Sequence, residues 1–210
     1  MLTYAQKGPL KGSGKVITKV FYFKDFDKIS FEDFNGNIDI EIGKPYEIKI
    51  DIDDNLEPLL RVQKDDNENL LKIWLDQNKN GRLYLENVNI KIKVSMPESS
   101  VIKNAGNADL KIWGIRGRYF RLENSGNGDA TLKGQIDELD IKKSGNGDVK
   151  AQNLEAKIAK VKSAGNGNVS VNSNISLRAN GTGNGDILQY GHGQIETLSG
   201  VIGNGEVKKM

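Results

Sequence analysis

Five carboxylates recur at near-constant spacing down the second half of the chain: Asp109, Asp129, Asp148, Asp186 and Glu206. A column of acids is raw material for a cation site, and a convergent pair of acids is what glycoside hydrolysis needs. The interval of 18 to 20 residues separates them from the Ca²⁺-binding nonapeptide β-roll, whose Gly-Gly-x-Gly-x-Asp turns come close enough to enclose each ion. Stacked one per turn of chain, about 4.8 Å apart, neighbouring charges repel by roughly 0.9 kcal/mol in water, so no ion is required to hold them together. Asn168 interrupts the column, and Lys142, Lys143 and Lys162 place positive charge a few residues before the turns. The expectation is no metal, no cofactor, a fold independent of Ca²⁺, and each Asp bonding backbone N–H groups at its corner.

Other chemistries lack their parts. His192, in Tyr190-Gly-His-Gly, is the single histidine, and cysteine is absent. Thiolate metal sites, cysteine nucleophiles and disulfide scaffolds are thereby excluded, and a zinc site or a Ser-His-Asp triad has little to stand on. Gly-Asn-Gly phrases suggest phosphate cradles, but such cradles open onto a helix N-terminus and every copy here runs into strand pattern. A net charge of +2 is too even for a nucleic-acid binder. No apolar run reaches the roughly 18 to 20 residues of a membrane-crossing helix, so no transmembrane segment is expected. Outward cations such as Arg121, Lys142, Lys143, Lys160 and Lys162 would attract acidic glycans or lipid headgroups. Interleaved Glu123, Asp137, Glu138 and Asp140 make a mixed, solvated face the expectation there.

What must position these residues is a repeat. Ala105-Gly-Asn-Ala-Asp, Ser125-Gly-Asn-Gly-Asp, Ser144-Gly-Asn-Gly-Asp, Ala164-Gly-Asn-Gly-Asn, Thr182-Gly-Asn-Gly-Asp and Ile202-Gly-Asn-Gly-Glu are six copies of one phrase. Four residues before the first Gly stand Ile102, Leu122, Ile141, Val161 and Ala179; six before it stand Phe120, Leu139, Ala159 and Leu177. Between them run Arg121, Asp140, Lys160 and Arg178, and four residues after the Gly come Leu110, Ala130, Val149, Val169, Ile187 and Val207. Alternation on both sides of a glycine corner is the mark of strands with one buried face. A unit this short has no core of its own, whereas stacked coils share one, which predicts an all-β parallel β-helix with coils of about 19 residues. Asn107, Asn127, Asn146, Asn166, Asn184 and Asn204 then form a structural turn column, because Asn tolerates left-handed backbone and stacked amides hydrogen-bond in a ladder. A ligand-binding row is the rival reading of that column.

All four prolines precede Ser100. The earlier part reads as strands over 16–23, 38–42, 46–52, 70–75 and 88–96, with a hairpin turn at Lys79-Asn80-Gly81. Phe34-Asn-Gly-Asn-Ile-Asp echoes the repeat phrase, so the solenoid is expected to begin there, insert hairpins and resume near Val101. The expected division is a leader over 1–15, a strand- and hairpin-rich capping region over 16–100 and the β-helix over 101–210. A cap is needed because an open solenoid end exposes core and strand edges.

With Phe34-Asn-Gly-Asn-Ile-Asp-Ile and Tyr46-Glu-Ile-Lys-Ile-Asp-Ile ahead of the repeated SGNGD phrase, residues 23–208 resemble the auto-transporter adhesin head GIN domain family, common in Bacteroidetes. The resemblance implies a right-handed parallel β-helix exported from the cell, with no catalytic residues to carry over. The expected function is a non-catalytic exported surface or envelope binding module, an adhesin, with a glycan or a cell-surface protein as partner. The alternative is a carbohydrate-active β-helix enzyme of the polysaccharide lyase or hydrolase kind. Location is expected outside the cytoplasm: no signal peptide is visible, but Thr3-Tyr-Ala-Gln resembles the end of a Bacteroidetes signal sequence.

Overall fold

Residues 9–76 and 85–210 are described by the structure, a computed structural model. The turn expected at 79–81 and the first eight residues lie outside the described residues. The chain is all-β, 65% strand, and its stacked parallel strands build a β-solenoid of about five turns. Apart from strands it has a 3-10 turn at Glu57–Leu59.

The apolar offsets become lines of side chains. Ahead of each corner, Ile102, Leu122, Ile141, Val161 and Ala179 are successive parallel partners. Beyond it, Leu110, Ala130, Val149, Val169, Ile187 and Val207 are likewise paired. A third, shorter face passes through Ile136, Ala156 and Ser173. Apart from the partly exposed Val207, every residue in these lines is buried.

Both glycines of the Ser144-Gly-Asn-Gly-Asp corner are required, for different reasons. At Gly145 φ is 120°, and a Cβ would stand 2.1 Å from the carbonyl oxygen of Gly126 in the coil before. Gly147 has no such φ, yet its Cβ would meet the Gly128 carbonyl oxygen at 2.1 Å. Coils approach too closely at the corner for any side chain that points along the axis.

Lys28–Glu32 and Asn37–Ile42 form a coil on which the one starting at Val101 stacks, with Ile102 on Ile29 and Leu110 on Ile38. The solenoid therefore begins ahead of Val101. Leu70–Leu75 and Ile90–Met96 pair with the opposite edges of the same two strands, also in parallel. The chain thus lays down one rung, returns beneath it, and then climbs past it. Antiparallel strands close this end: Glu47–Asp53 on Ile90–Met96, Val16–Phe21 on Glu47–Asp53, and Leu60–Asp65 on Leu70–Leu75. Phe26, Phe31, Phe34 and Leu56 fill the interior here, each contributing roughly 1.5–3 kcal/mol by burial.

Candidate functional site

Two ladders run along the corners. Asn127, Asn146, Asn166, Asn184 and Asn204 each donate Nδ2 to the Oδ1 of the Asn one coil earlier, ending at Asn107, at 2.7–2.8 Å. Two residues further on, Oδ1 of Asp109, Asp129, Asp148, Asn168 and Asp186 accepts the backbone N–H of the corresponding residue in the next coil at 2.8–2.9 Å. The donor lies in the next coil rather than at the residue's own corner, so these carboxylates clamp coil to coil. Burial works against the charge of Asp129, but the Lys150 ammonium at 2.6 Å and the Asp148 N–H hold its carboxyl below the usual range. The Glu206 N–H, then Lys208, do the same for Asp186. Their oxygens are engaged along the axis and do not converge. Among the described residues no three His, Asp or Glu side chains are grouped to hold a metal ion.

Inside the corner runs a polar column that period-two reading passed over. Asn104, Asn124, Lys143 and Ser163 point inward two residues before each first Gly, and all are buried. Asn104 Nδ2 donates to the carbonyl of Ala108 and to Asn124 Oδ1, and Asn124 Nδ2 donates to the Gly128 carbonyl. Lys143, expected among the outward cations, is only 4% exposed and its Nζ caps the Gly145 carbonyl at 2.9 Å. Its offset from Ile141 is even, which sends it to the core side. Burial pushes its ammonium below the ordinary lysine range, with Asp148 opposing the shift.

His192 is exposed, its backbone carbonyl accepting a bond from Lys209 Nζ. The loop around it is fastened by Gln189, wholly buried, which accepts from the Ser173 N–H and donates to the Ser173 carbonyl and hydroxyl. Among the described residues no hydrogen bond or ion pair reaches the His192 imidazole.

The arrangement best suited to a ligand is a groove of about 840 Å³ on the outer face of the capped end. It spans strands far apart in sequence. Glu47, Ser95, Glu41 and Trp113 are cross-strand neighbours in one row; Val20, Lys49, Lys93 and Asp39 make the next. Tyr22, 89% exposed, and Trp113, 36% exposed, offer aromatic surface at its two sides. Lys44, Lys49 and Lys93 balance Asp39, Glu41 and Glu47, so the lining carries no net charge. The floor is firm: Tyr46 packs on Phe26 with ring centres 4.9 Å apart and donates to the Phe26 carbonyl, while Ser95 Oγ donates to the Pro45 carbonyl at 2.6 Å. Of these groups Tyr46, Glu47 and Lys49 lie in one strand motif visible in sequence. The remainder come together through the return of 90–96 beneath 37–42, which no local signal announces.

The molecule is thus a capped parallel β-solenoid with a neutral, aromatic-sided groove on its outer face. Residues 25–193 match the family described as "putative auto-transporter adhesin, head GIN domain", and the chain belongs to that family. A crystal structure of a putative adhesin from Bacteroides fragilis NCTC 9343 superimposes with a TM-score of 0.70 at 23% identity, covering 96% of this chain and 100% of that one. A putative lipid binding protein from Parabacteroides distasonis ATCC 8503 gives 0.62 at 21% identity over 97% and 100%. A putative adhesin from the same organism gives 0.56 at 19% identity over 97% and 100%. At these identities the likeness establishes a shared fold. No protein with a curated description matches.

Proposed function

We propose that the protein is a non-catalytic binding module working outside the cytoplasm, at the cell surface or in the envelope, and that the groove between Tyr22 and Trp113 holds a carbohydrate. The observation that carries this reading is the pairing of exposed aromatic faces with a row of evenly balanced polar groups on a firm sheet. Sugar rings stack their C–H faces on aromatics and present hydroxyls to such groups, and a lining without net charge suits a neutral, polyhydroxylated ligand. Membership of an adhesin-described family supports the same direction. The lipid-binding name of one structural relative fits this groove less well, since six charged side chains line it.

Hydrolysis is the second reading, and one observation favours it: Glu41 and Glu47 flank Ser95 from the two neighbouring strands, which sets their backbones about 9.6 Å apart, near the separation used by inverting glycosidases. General acid catalysis relies on a carboxyl kept protonated by burial, and neither glutamate is buried. A glycan array probed with the wild type and with Trp113→Ala and Tyr22→Ala tests the binding reading. Selective capture of a glycan, lost in both variants at unchanged melting temperature, is expected. Capture of none, or capture indifferent to both variants, contradicts it.

A further inference from the structure

On the outer face of the sheet that precedes the corners, charge and apolarity are sorted along the axis. Towards the cap the charges neutralise one another: Arg121 pairs with Asp140 at 3.0 Å and with Glu123, which also takes Lys103 and Lys142. In the following coils Lys160, Lys162 and Arg178 are exposed, and among the described residues none has an anionic partner within 4.0 Å. One coil further, Leu198 and Ile202 project into solvent, 76% and 80% exposed. These two zones are contiguous. A hollow of about 540 Å³ is lined by Lys160, Lys162 and Arg178, and an adjoining one of about 590 Å³ by Lys142, Lys162, Leu198 and Ile202. Of the side chains lining the two, the single acid is Asp140, already engaged by Arg121.

We propose that this C-terminal part of the face docks onto an anionic lipid surface, with Leu198 and Ile202 entering the acyl boundary and Lys160, Lys162 and Arg178 meeting headgroup phosphates. Unpaired cations next to exposed aliphatic side chains on one rigid plane match both layers of such an interface: negative at the headgroups, apolar beneath. An acidic polysaccharide would satisfy the cations but leave the aliphatic pair without a role, and this part of the face has no aromatic for a sugar to stack upon. The surface is separate from the aromatic groove, so either can fail alone.

Flotation with phosphatidylcholine vesicles, with and without phosphatidylglycerol, tests the proposal. The wild type is expected to float with the anionic vesicles only, and to be released by salt. Lys160→Gln, Lys162→Gln and Arg178→Gln together should weaken partitioning about a hundredfold, at roughly fivefold per cation. Leu198→Ser with Ile202→Ser should weaken it about tenfold or more. All five side chains are exposed, so both variants should melt with the wild type. Lys49→Gln with Lys93→Gln, which removes the same kind of charge from the carbohydrate groove, should leave flotation unchanged. Absence of flotation, flotation unaffected by both variant sets, equal flotation with phosphatidylcholine alone, or retention on a polygalacturonate resin without flotation would each overturn the proposal.

Discussion

At the capped end Asp53 alone gathers the backbone N–H groups of Gly14 and Asn89 and the Asn89 amide, through one wholly buried carboxylate. In the repeats the equivalent work is divided: each corner has its Asn bond and its Asp bond, copied from coil to coil. The cores differ in the same sense. Four large side chains, Phe26, Phe31, Phe34 and Leu56, fill the cap, while the line of Ile102, Leu122, Ile141, Val161 and Ala179 thins towards the C-terminal end. A unique region depends on single groups, and a periodic one spreads its load, so that damage in the first is local and severe while damage in the second is severe only where it breaks the period itself.

The largest effect should come from a core break within the period. Ile141→Asp buries an unpartnered charge and should cost upwards of about 4 kcal/mol, leaving the protein unfolded or aggregated; a soluble variant with unchanged melting would remove Ile141 from the core. Gly145→Ala comes next, at about 3 kcal/mol, since backbone strain adds to the clash with Gly126. Gly117→Ala is its control: φ is 117° but nothing lies within 4 Å, so chemical denaturation should show only the strain, about 1 kcal/mol.

Asp53→Ala should cost about 2 kcal/mol by stranding the Gly14 and Asn89 donors, against about 1 kcal/mol or less for Asn146→Ala, whose ladder continues above and below. Equal losses in urea melts would erase the contrast between unique and shared bonds. Lys143→Asn should raise stability by about 1 kcal/mol, because an amide there can reach the corner carbonyl as Asn124 does and accept the second Asn124 proton. The gain depends on pH with a definite sign. Burial lowers the folded-state pKa of Lys143 below its unfolded value, so the unfolded chain binds more protons in that interval and wild-type stability rises with pH through it. The advantage of the Asn variant is therefore full below the lowered folded-state pKa and shrinks as pH climbs through it towards the ordinary lysine range. Smallest of all is the effect of Ca²⁺: melts in chelator and in excess Ca²⁺ should agree within about a degree or two, and a large gain would make the Asp column a metal site.

Periodicity made the repeats readable because each offset is sampled several times: Ile102, Leu122 and Ile141 vouch for one another, and the Gly-Asn-Gly corners carry both the φ and the close approach they require. Lys143 shows the limit. Its inward direction follows from the alternation, but its charge argues for the surface, and the packing decided in favour of register. Lys28–Glu32 and Leu60–Asp65 were not among the expected strands, being short and rich in charge; the first pairs with strands distant in sequence, the second in a hairpin with the strand that follows it. The groove was invisible because the strands that line it pair across long separations in sequence. Tyr22, Glu47, Lys93, Glu41 and Trp113 share a surface only through pairings of 16–21 with 47–53, 47–53 with 90–96, 90–96 with 37–42, and 37–42 with 109–115.

Binding without turnover is the claim on which the functional account rests. With the strongest glycan from the array, tryptophan fluorescence and reducing-end release can be followed in the same sample, since Trp113 lines the groove. The account predicts a saturable change in fluorescence, absent in Trp113→Ala, with reducing ends at the level of the buffer blank throughout. Reducing ends that accumulate with the wild type and vanish in Glu41→Gln would contradict it and make the groove an active site.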